Sequence, residues 1–221
     1  MNDRSMARRV RFICMTNRSG SSWLCHMLNS TGVAGFVGEI RQKDQPAKEW
    51  REKRDVDPYC VKLNWHMMQR VWPLMTPGEA AGARYVFLIR RDKWRQAISQ
   101  YRARASGVWH LWAGKPIPAR HNQVPFDAGA IRSIRNNLIA QDQQWGAWFR
   151  KRGIRPLKLY YEDLCRAPVA TTRLVLQYFG LPSGGPINMY TLLVSRDELT
   201  EEWMRLLKEE AHEPSPAAPA V

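Results

Sequence analysis

Val10 to His26 read VRFICMTNRSGSSWLCH, and the fold follows from how that stretch divides. Val10 to Met15 is an apolar, β-prone run interrupted only by Arg11, and Arg18-Ser19-Gly20-Ser21-Ser22 follows at once as a small-residue turn. Trp23, Leu24, Met27 and Leu28 then share one face of a helix. A strand running through such a turn into a helix start is shaped to hold an anion. Small residues let successive backbone N–H groups point inward, the helix N-terminus adds partial positive charge, and Arg18 and the serine hydroxyls supply further donors. The same residues also suit a strand, a polar turn and a serine-capped helix with no ligand. A nucleoside-triphosphatase phosphate loop needs Gly-x-x-x-x-Gly-Lys followed by Ser or Thr; no Lys follows Gly20, which argues against a kinase or ATPase.

Working outward, the unit recurs. Tyr59 to Leu63 is a second strand candidate, interrupted by Lys62 and followed by Asn64, Trp65, His66 and a Met-rich helical stretch. Tyr85 to Ile89 is the clearest strand; it runs into Arg90-Arg91-Asp92 and a helix marked by Trp94, Ala97, Ile98, Tyr101 and Ala105. Arg91 at the strand's carboxyl end and Ser99 two turns along the helix are placed to face one anion, since ligands of parallel α/β sheets collect at that edge. A long helix over Ile131 to Gly153 leads to the fourth strand, Pro156 to Tyr161, and helices follow over Pro168 to Phe179 and Asp197 to Ala211. The alternation predicts an α/β fold, a parallel sheet of about four to five strands flanked by helices. The glycine-rich span from Asn29 to Glu39 reads as a helix stop and loop, with Glu39 close in sequence to the anion-holding turn. Residues 41 to 58 are charged throughout, a surface excursion with a helical stretch near Lys48 to Lys53. Residues 106 to 128 lack periodicity and are rich in Gly, Pro, Trp and His, the composition of a lid or binding wall, with Trp109, His110 and Trp112 placed to meet a substrate.

Composition narrows the function. One domain over residues 10 to 211 is expected, between a flexible lead at 1 to 9 and a disordered tail at 212 to 221. No apolar window suits a membrane span and the first residues lack a signal-type core, so a cytoplasmic protein is expected. Four cysteines, at 14, 25, 60 and 165, show no metal-ligand spacing; no metal is expected, and Cys14 and Cys60 read as small buried thiols. The formal charge of +14 implies an anionic partner. The basic residues are spread along the chain without a nucleic-acid-binding motif, so no nucleic acid is expected. A basic nucleic-acid-binding protein on a nucleotide-binding scaffold, or a phosphoryl-transferring kinase, stays as the alternative.

Four segments together resemble the PAPS-dependent sulfotransferases, most closely the bacterial carbohydrate branch typified by trehalose 2-sulfotransferase. They are Thr16 to Leu24; the Arg91-Asp92 to Ser99 spacing; Leu159 to Leu164 with a helix ending at Phe179-Gly180-Leu181; and Ser30 to Glu39. The resemblance implies a P-loop-like sulfotransferase fold that moves a sulfuryl group from PAPS (3′-phosphoadenosine 5′-phosphosulfate) to a hydroxyl of a carbohydrate or glycosylated small molecule, with PAP as product. It implies that Arg18, Ser19, Gly20, Ser21, Ser22 and Trp23 surround the 5′-phosphosulfate, that Arg91 and Ser99 bind the 3′-phosphate, and that Tyr161 lies near the adenine. Glu39 matches the branch's general base, with Arg18 facing the leaving oxygen, and His66 or His110 as the alternative base. Lys62, Asn64, His66, Trp109 and His110 are then the acceptor-side residues. The branch has Gly-x-Pro-x-Glu where this chain has Gly35-Phe36-Val37-Gly38-Glu39, which leaves the acceptor open. The chain is compact for the family, so a second subunit of a homodimer would complete the acceptor wall.

Overall fold

Strand β1 (Arg11–Met15) is buried along its whole length and lies at the centre of a five-stranded sheet in the order β2-β3-β1-β4-β5. Its neighbours are β3 (Cys60–Asn64) and β4 (Arg84–Ile89); β2 (Val37–Glu39) and β5 (Leu157–Tyr160) form the edges, and every pairing is parallel. The expected parallel α/β sheet is therefore present. The computed structural model describes residues 10–35, 37–40, 46–53, 58–189, 192 and 197–212; the expected N-terminal lead and all but the first residue of the expected tail lie outside them.

Period-two alternation assigns the two faces of the sheet. Ile13, Met15, Val86 and Leu88 point to one side. There they pack on Leu24, Met27 and Leu28 of α1 (Ser21–Ser30) and on Val175, Leu176 and Phe179 in and just beyond α8 (Pro168–Tyr178). Phe12, Cys14, Tyr85 and Phe87 point to the other. That side meets Trp50 of α2 (Pro46–Lys53), Met68 and Val71 of α3 (Trp65–Val71), and Trp145, Trp148 and Phe149 of the long α6 (Ala128–Lys151). Side chains of this size each contribute about 1.5–3 kcal/mol when fully buried. Arg11, the one charge in β1, is accommodated because its Nε donates to the Phe179 carbonyl at 3.1 Å. The short α4 (Pro77–Gly82) leads into β4 through a capping box on Thr76 and Glu79. A third cluster joins α5 (Lys93–Ser106), the first half of α6 and α9 (Glu198–His212) through Ala97, Ile98, Ile134, Leu138 and Trp203. Arg102 locks this cluster with a two-pronged pair to Asp197 at 2.7 and 2.8 Å. The short α7 (Tyr161–Arg166) follows β5 directly.

One local expectation and one alternative reading are corrected. The glycine-rich span before Glu39, read as loop throughout, ends in strand β2, whose outer side is satisfied by a side chain: the Asn29 amide of α1 bonds both the N–H and the C=O of Val37, at 2.7 and 2.8 Å. The first helix is not serine-capped. Gly20 occupies the N-cap position with φ 85 and no side-chain bond.

Candidate active site

The chain runs from central β1 out to β2, returns to β3, then crosses to β4 on the far side of β1. That reversal opens a crevice beyond the carboxyl ends of the strands, where α/β sheets collect ligands. A cavity of about 350 Å³ occupies it, and all five strands deliver residues: Asn17 and Arg18 after β1, Glu39 from β2, Lys62 and Asn64 from β3, Arg90 after β4, Tyr161 after β5. Lys62 sits opposite both Ile13 and Glu39 in register, and Arg90 follows Leu88 in parity, so these side chains emerge on the α1 side.

The turn between β1 and α1 departs from ordinary backbone geometry. Arg18 has φ 64 and Gly20 φ 85, both left-handed. The strain at Arg18 costs about 1–3 kcal/mol and is held by surrounding contacts. Its Nε donates to Ser99 Oγ at 2.9 Å, another guanidinium nitrogen to the Trp109 carbonyl, and its own carbonyl accepts from Arg90. Burial, followed by the like charge of Arg90, lowers Arg18 to a pKa of about 10. A Cβ on Gly20 would stand 2.6 Å from the Tyr161 ring, so glycine is required there twice over. Behind the turn, the buried Gln96 of α5 donates to Thr16 Oγ1 and the Asn17 carbonyl at 3.0 and 2.8 Å.

Opposite the turn stands a polar relay. Lys62 is buried, unlike most strand lysines, and its Nζ lies 2.6 Å from Glu39 Oε1 and 3.0 Å from Ser22 Oγ. It thus links the carboxylate to the first turn of α1. Glu39 is half exposed and faces the mouth of the cavity. Across the mouth His110 is pushed down to a pKa of about 4, by partial desolvation first and then by Arg18 and Lys62; it is neutral near pH 7. His26, edge-on to Trp112, is lowered by burial and by Lys62 as well.

Most sequence-predicted residues converge. Arg18, Gly20, Ser21, Ser22, Trp23, Glu39, Lys62, Asn64, Ser99, Trp109, His110 and Tyr161 line the cavity. Three do not. Ser19 lies behind the turn, fully buried, its hydroxyl without a hydrogen-bond partner among the described residues. His66 sits one turn away beside a second, smaller cavity. Arg91 turns outward. Its guanidinium covers the Tyr160 ring at 3.8 Å and pairs with Asp163 at 3.0 Å, while its N–H and that of Asp92 are held by Glu162. In its place Arg90 enters the cavity, stacked over Tyr161 at 4.5 Å. Sequence reasoning passed over Arg90, Asn17 and Met67; the parity of β4 was the available signal for Arg90, because Arg90 and Leu88 share a face and Arg91 does not.

Among the described lining residues three cations, Arg18, Lys62 and Arg90, face one carboxylate, Glu39, which is already paired. A helix N-terminus adds to the positive side. Such a site suits a ligand carrying several negative charges.

Comparison with known proteins identifies the family. A family model described as Stf0 sulphotransferase matches residues 11–76 and 78–210. Trehalose 2-sulfotransferase of Mycobacterium tuberculosis is 35% identical over 128 residues, covering 58% of this chain and 46% of that protein. The Mycolicibacterium smegmatis protein of the same name is 30% identical over 127 residues, covering 57% and 46%. The matched region thus spans about half the length of these relatives. A crystal structure of a sulfotransferase from Alicyclobacillus acidocaldarius shares the fold over 93% of both chains, with TM-score 0.51 and 12% identity. Among the described residues no helix is long and apolar enough to cross a membrane.

Proposed function

Because the chain belongs to the Stf0 sulphotransferase family, we propose that it transfers a sulfuryl group from PAPS to a hydroxyl of a sugar or glycosylated small molecule, with Glu39 as general base. The observation that carries this reading is the excess of cations around a helix N-terminus, opposite a half-exposed carboxylate aimed into the same cavity. The residues present fit PAPS. The turn from Arg18 to Trp23 offers N–H groups and hydroxyls to the 5′ end, and Ser99 with Arg90 offers a second cationic point for the 3′-phosphate. Tyr161 forms an aromatic wall for the base. Arg91, expected for the 3′-phosphate, stands at the outer rim, where it holds Asp163.

When bound, PAPS supplies the activated sulfuryl group and a 5′-phosphate as leaving group. The chain's own residues do the rest. Glu39 accepts the proton of the entering hydroxyl; the Lys62 ammonium, 2.6 Å away, holds the carboxylate in position. Arg18, Lys62 and the N–H groups at the start of α1 face the side where negative charge collects, and being fixed beforehand they cost no reorganisation. His110, neutral and uncharged by its surroundings, serves as a wall and hydrogen-bonding partner of the acceptor. The names of the relatives support a sugar acceptor such as trehalose.

The test is incubation with labelled PAPS and a panel of hydroxylated acceptors that includes trehalose and glucose. Thermal shifts with PAP, ATP plus magnesium, and a short oligonucleotide run alongside. Saturating PAP, at a hundredfold over its Kd, adds about 2.7 kcal/mol of stability, or roughly 5–10 °C for a chain of this size. Glu39→Gln is expected to lower turnover by about 10²- to 10⁴-fold and to leave PAP binding intact. A shift with oligonucleotide or ATP and none with PAP would replace this reading with one of the alternatives.

A further inference from the structure

Three successive residues where β1 passes into the turn are held by side chains from two helices. The Met15 carbonyl accepts from Trp145 Nε1 of α6 at 3.2 Å. Thr16 Oγ1 and the Asn17 carbonyl both accept from one amide group, Gln96 Nε2 of α5, at 3.0 and 2.8 Å; Gln96 and Thr16 are fully buried. The other end of that amide is fixed as well. Lys93, one turn earlier on α5, donates from Nζ to Gln96 Oε1 at 2.9 Å and pairs with Asp142 of α6 at 2.5 Å, and both charged side chains are only 15% exposed. Asp142 and Trp145 lie three residues apart and so share one face of α6. That face reaches the turn twice, once directly and once through Lys93 and Gln96. None of Lys93, Gln96 and Asp142 borders the main cavity.

We infer that Gln96 is a positioning residue for the anion-binding turn, and that Lys93 and Asp142 fix the orientation of its amide. The inference rests on the transferase reading of the main cleft. Arg18, next in the chain, has the left-handed φ of 64, a conformation that its neighbours must hold. In a trans peptide the C=O and the following N–H point opposite ways. The Asn17 carbonyl, held toward Gln96, therefore turns the Arg18 N–H away from α5. A glutamine amide can present either end, and here the ammonium decides which. Flipped, it would set its oxygen against the Asn17 carbonyl and its NH2 against Lys93, acceptor on acceptor and donor on donor. An ammonium so enclosed needs a counter-charge beside it, which Asp142 supplies. The brace thus sets the path of the turn before any anion arrives, and stabilisation of developing charge depends on donors fixed in advance.

The experiment measures PAP affinity by calorimetry and initial rates with labelled PAPS for wild type, Gln96→Met, Lys93→Met and the double variant of the full chain. NMR follows the backbone amides of Gly20, Ser21 and Ser22 in the same proteins. Gln96→Met keeps the length of the side chain and removes both ends of the amide. Each single variant is expected to weaken PAP about fivefold to thirtyfold and to lower kcat, with KM for the best acceptor of the panel unmoved. Because Lys93 acts through Gln96, the double variant is expected to bind PAP no more weakly than Gln96→Met alone. A residue that only supports the fold would lower Tm and leave PAP affinity and the split between kcat and KM where they were. Unchanged PAP affinity in folded Gln96→Met, or losses that add in the double variant, would overturn the brace. Asp142→Ala reaches the same amide through Lys93, so its PAP affinity decides if Gln96→Met misfolds. A wild-type chain that ignores PAP loses the transferase reading; the three amide signals then judge the brace alone, which fails if they stay still when Gln96 or Lys93 is replaced.

Discussion

Lys62→Met tests the relay at the centre of the site, because the fold and the chemistry should respond differently. The lysine side chain is 7% exposed and its carboxylate partner 51%. At their 2.6 Å separation the gross attraction is about 6 kcal/mol at an effective dielectric near 20. Desolvating the ammonium costs several kcal/mol, and Glu39, released, returns to water in place. The two terms nearly cancel, and methionine fills the same strand position between β2 and β1. Net stability should change by about 1 kcal/mol or less, moving Tm by roughly 2–4 °C. Turnover should fall by about 10²- to 10³-fold, the scale of losing one preorganised group at developing charge, since Lys62 touches both Glu39 and Ser22 of the phosphate-side helix. The reverse deletion is asymmetric: Glu39→Ala leaves the buried ammonium with Ser22 alone and should cost up to about 3 kcal/mol, although Glu39 is the more exposed partner. Melting curves and initial rates with labelled PAPS read both effects. A Lys62→Met protein with wild-type turnover, or one destabilised more than Glu39→Ala, would refute the reasoning.

Three further outcomes are expected. Gly20→Ala combines a left-handed residue, about 1–2 kcal/mol, with a Cβ driven 2.6 Å from Tyr161, and overpacking adds about 1–3 kcal/mol; a fall in Tm of several degrees accompanied by weaker PAP binding is the expected pair of readings. Arg90→Ala should weaken PAP far more than a nucleotide lacking the 3′-phosphate, whereas Arg91→Ala should weaken both little; calorimetry that ranks the two arginines the other way moves the 3′-phosphate to the outer rim. His110, with a folded pKa of about 4 against an ordinary 6.5, contributes stability that is complete above 6.5 and is lost as pH falls from there through 4. Bound PAP, by offsetting Arg18 and Lys62, should raise its NMR titration midpoint; an unmoved midpoint would place the anion elsewhere.

The central strands were legible because burial on both faces writes them as apolar runs, and each is followed by a turn whose residues differ from the run. β2 was not. Its three residues include Gly38, and its outer edge is satisfied by Asn29 from a helix eight residues earlier. Nothing in local propensity encodes a hydrogen bond that one side chain lends to a strand. The missing cap on α1 has a similar origin. Ser21 and Ser22 look like caps, yet the left-handed turn through Arg18 and Gly20 places both inside the helix, which frees Ser22 to meet Lys62.

Lys62 and the arginine pair show where reading a site from one chain stops. A lysine in a strand ordinarily reaches for water, and on an edge strand Lys62 would do so. Only the sheet order, with β3 inside β2, encloses it, and that order depends on a strand the sequence concealed. The arginines differ for a simpler reason. Strand β4 ends at Ile89, and of the two arginines that follow, Arg90 continues on the face of Leu88 toward α1 whereas Arg91 leaves on the other side. The spacing to Ser99 selects Arg91, whereas the parity of the strand selects Arg90. Pairing fixes the faces of β4 only as far as Ile89; Arg90 is the next residue and continues on the face of Leu88, while Arg91, one residue further into the turn before α5, is held outward by its contacts with Tyr160 and Asp163.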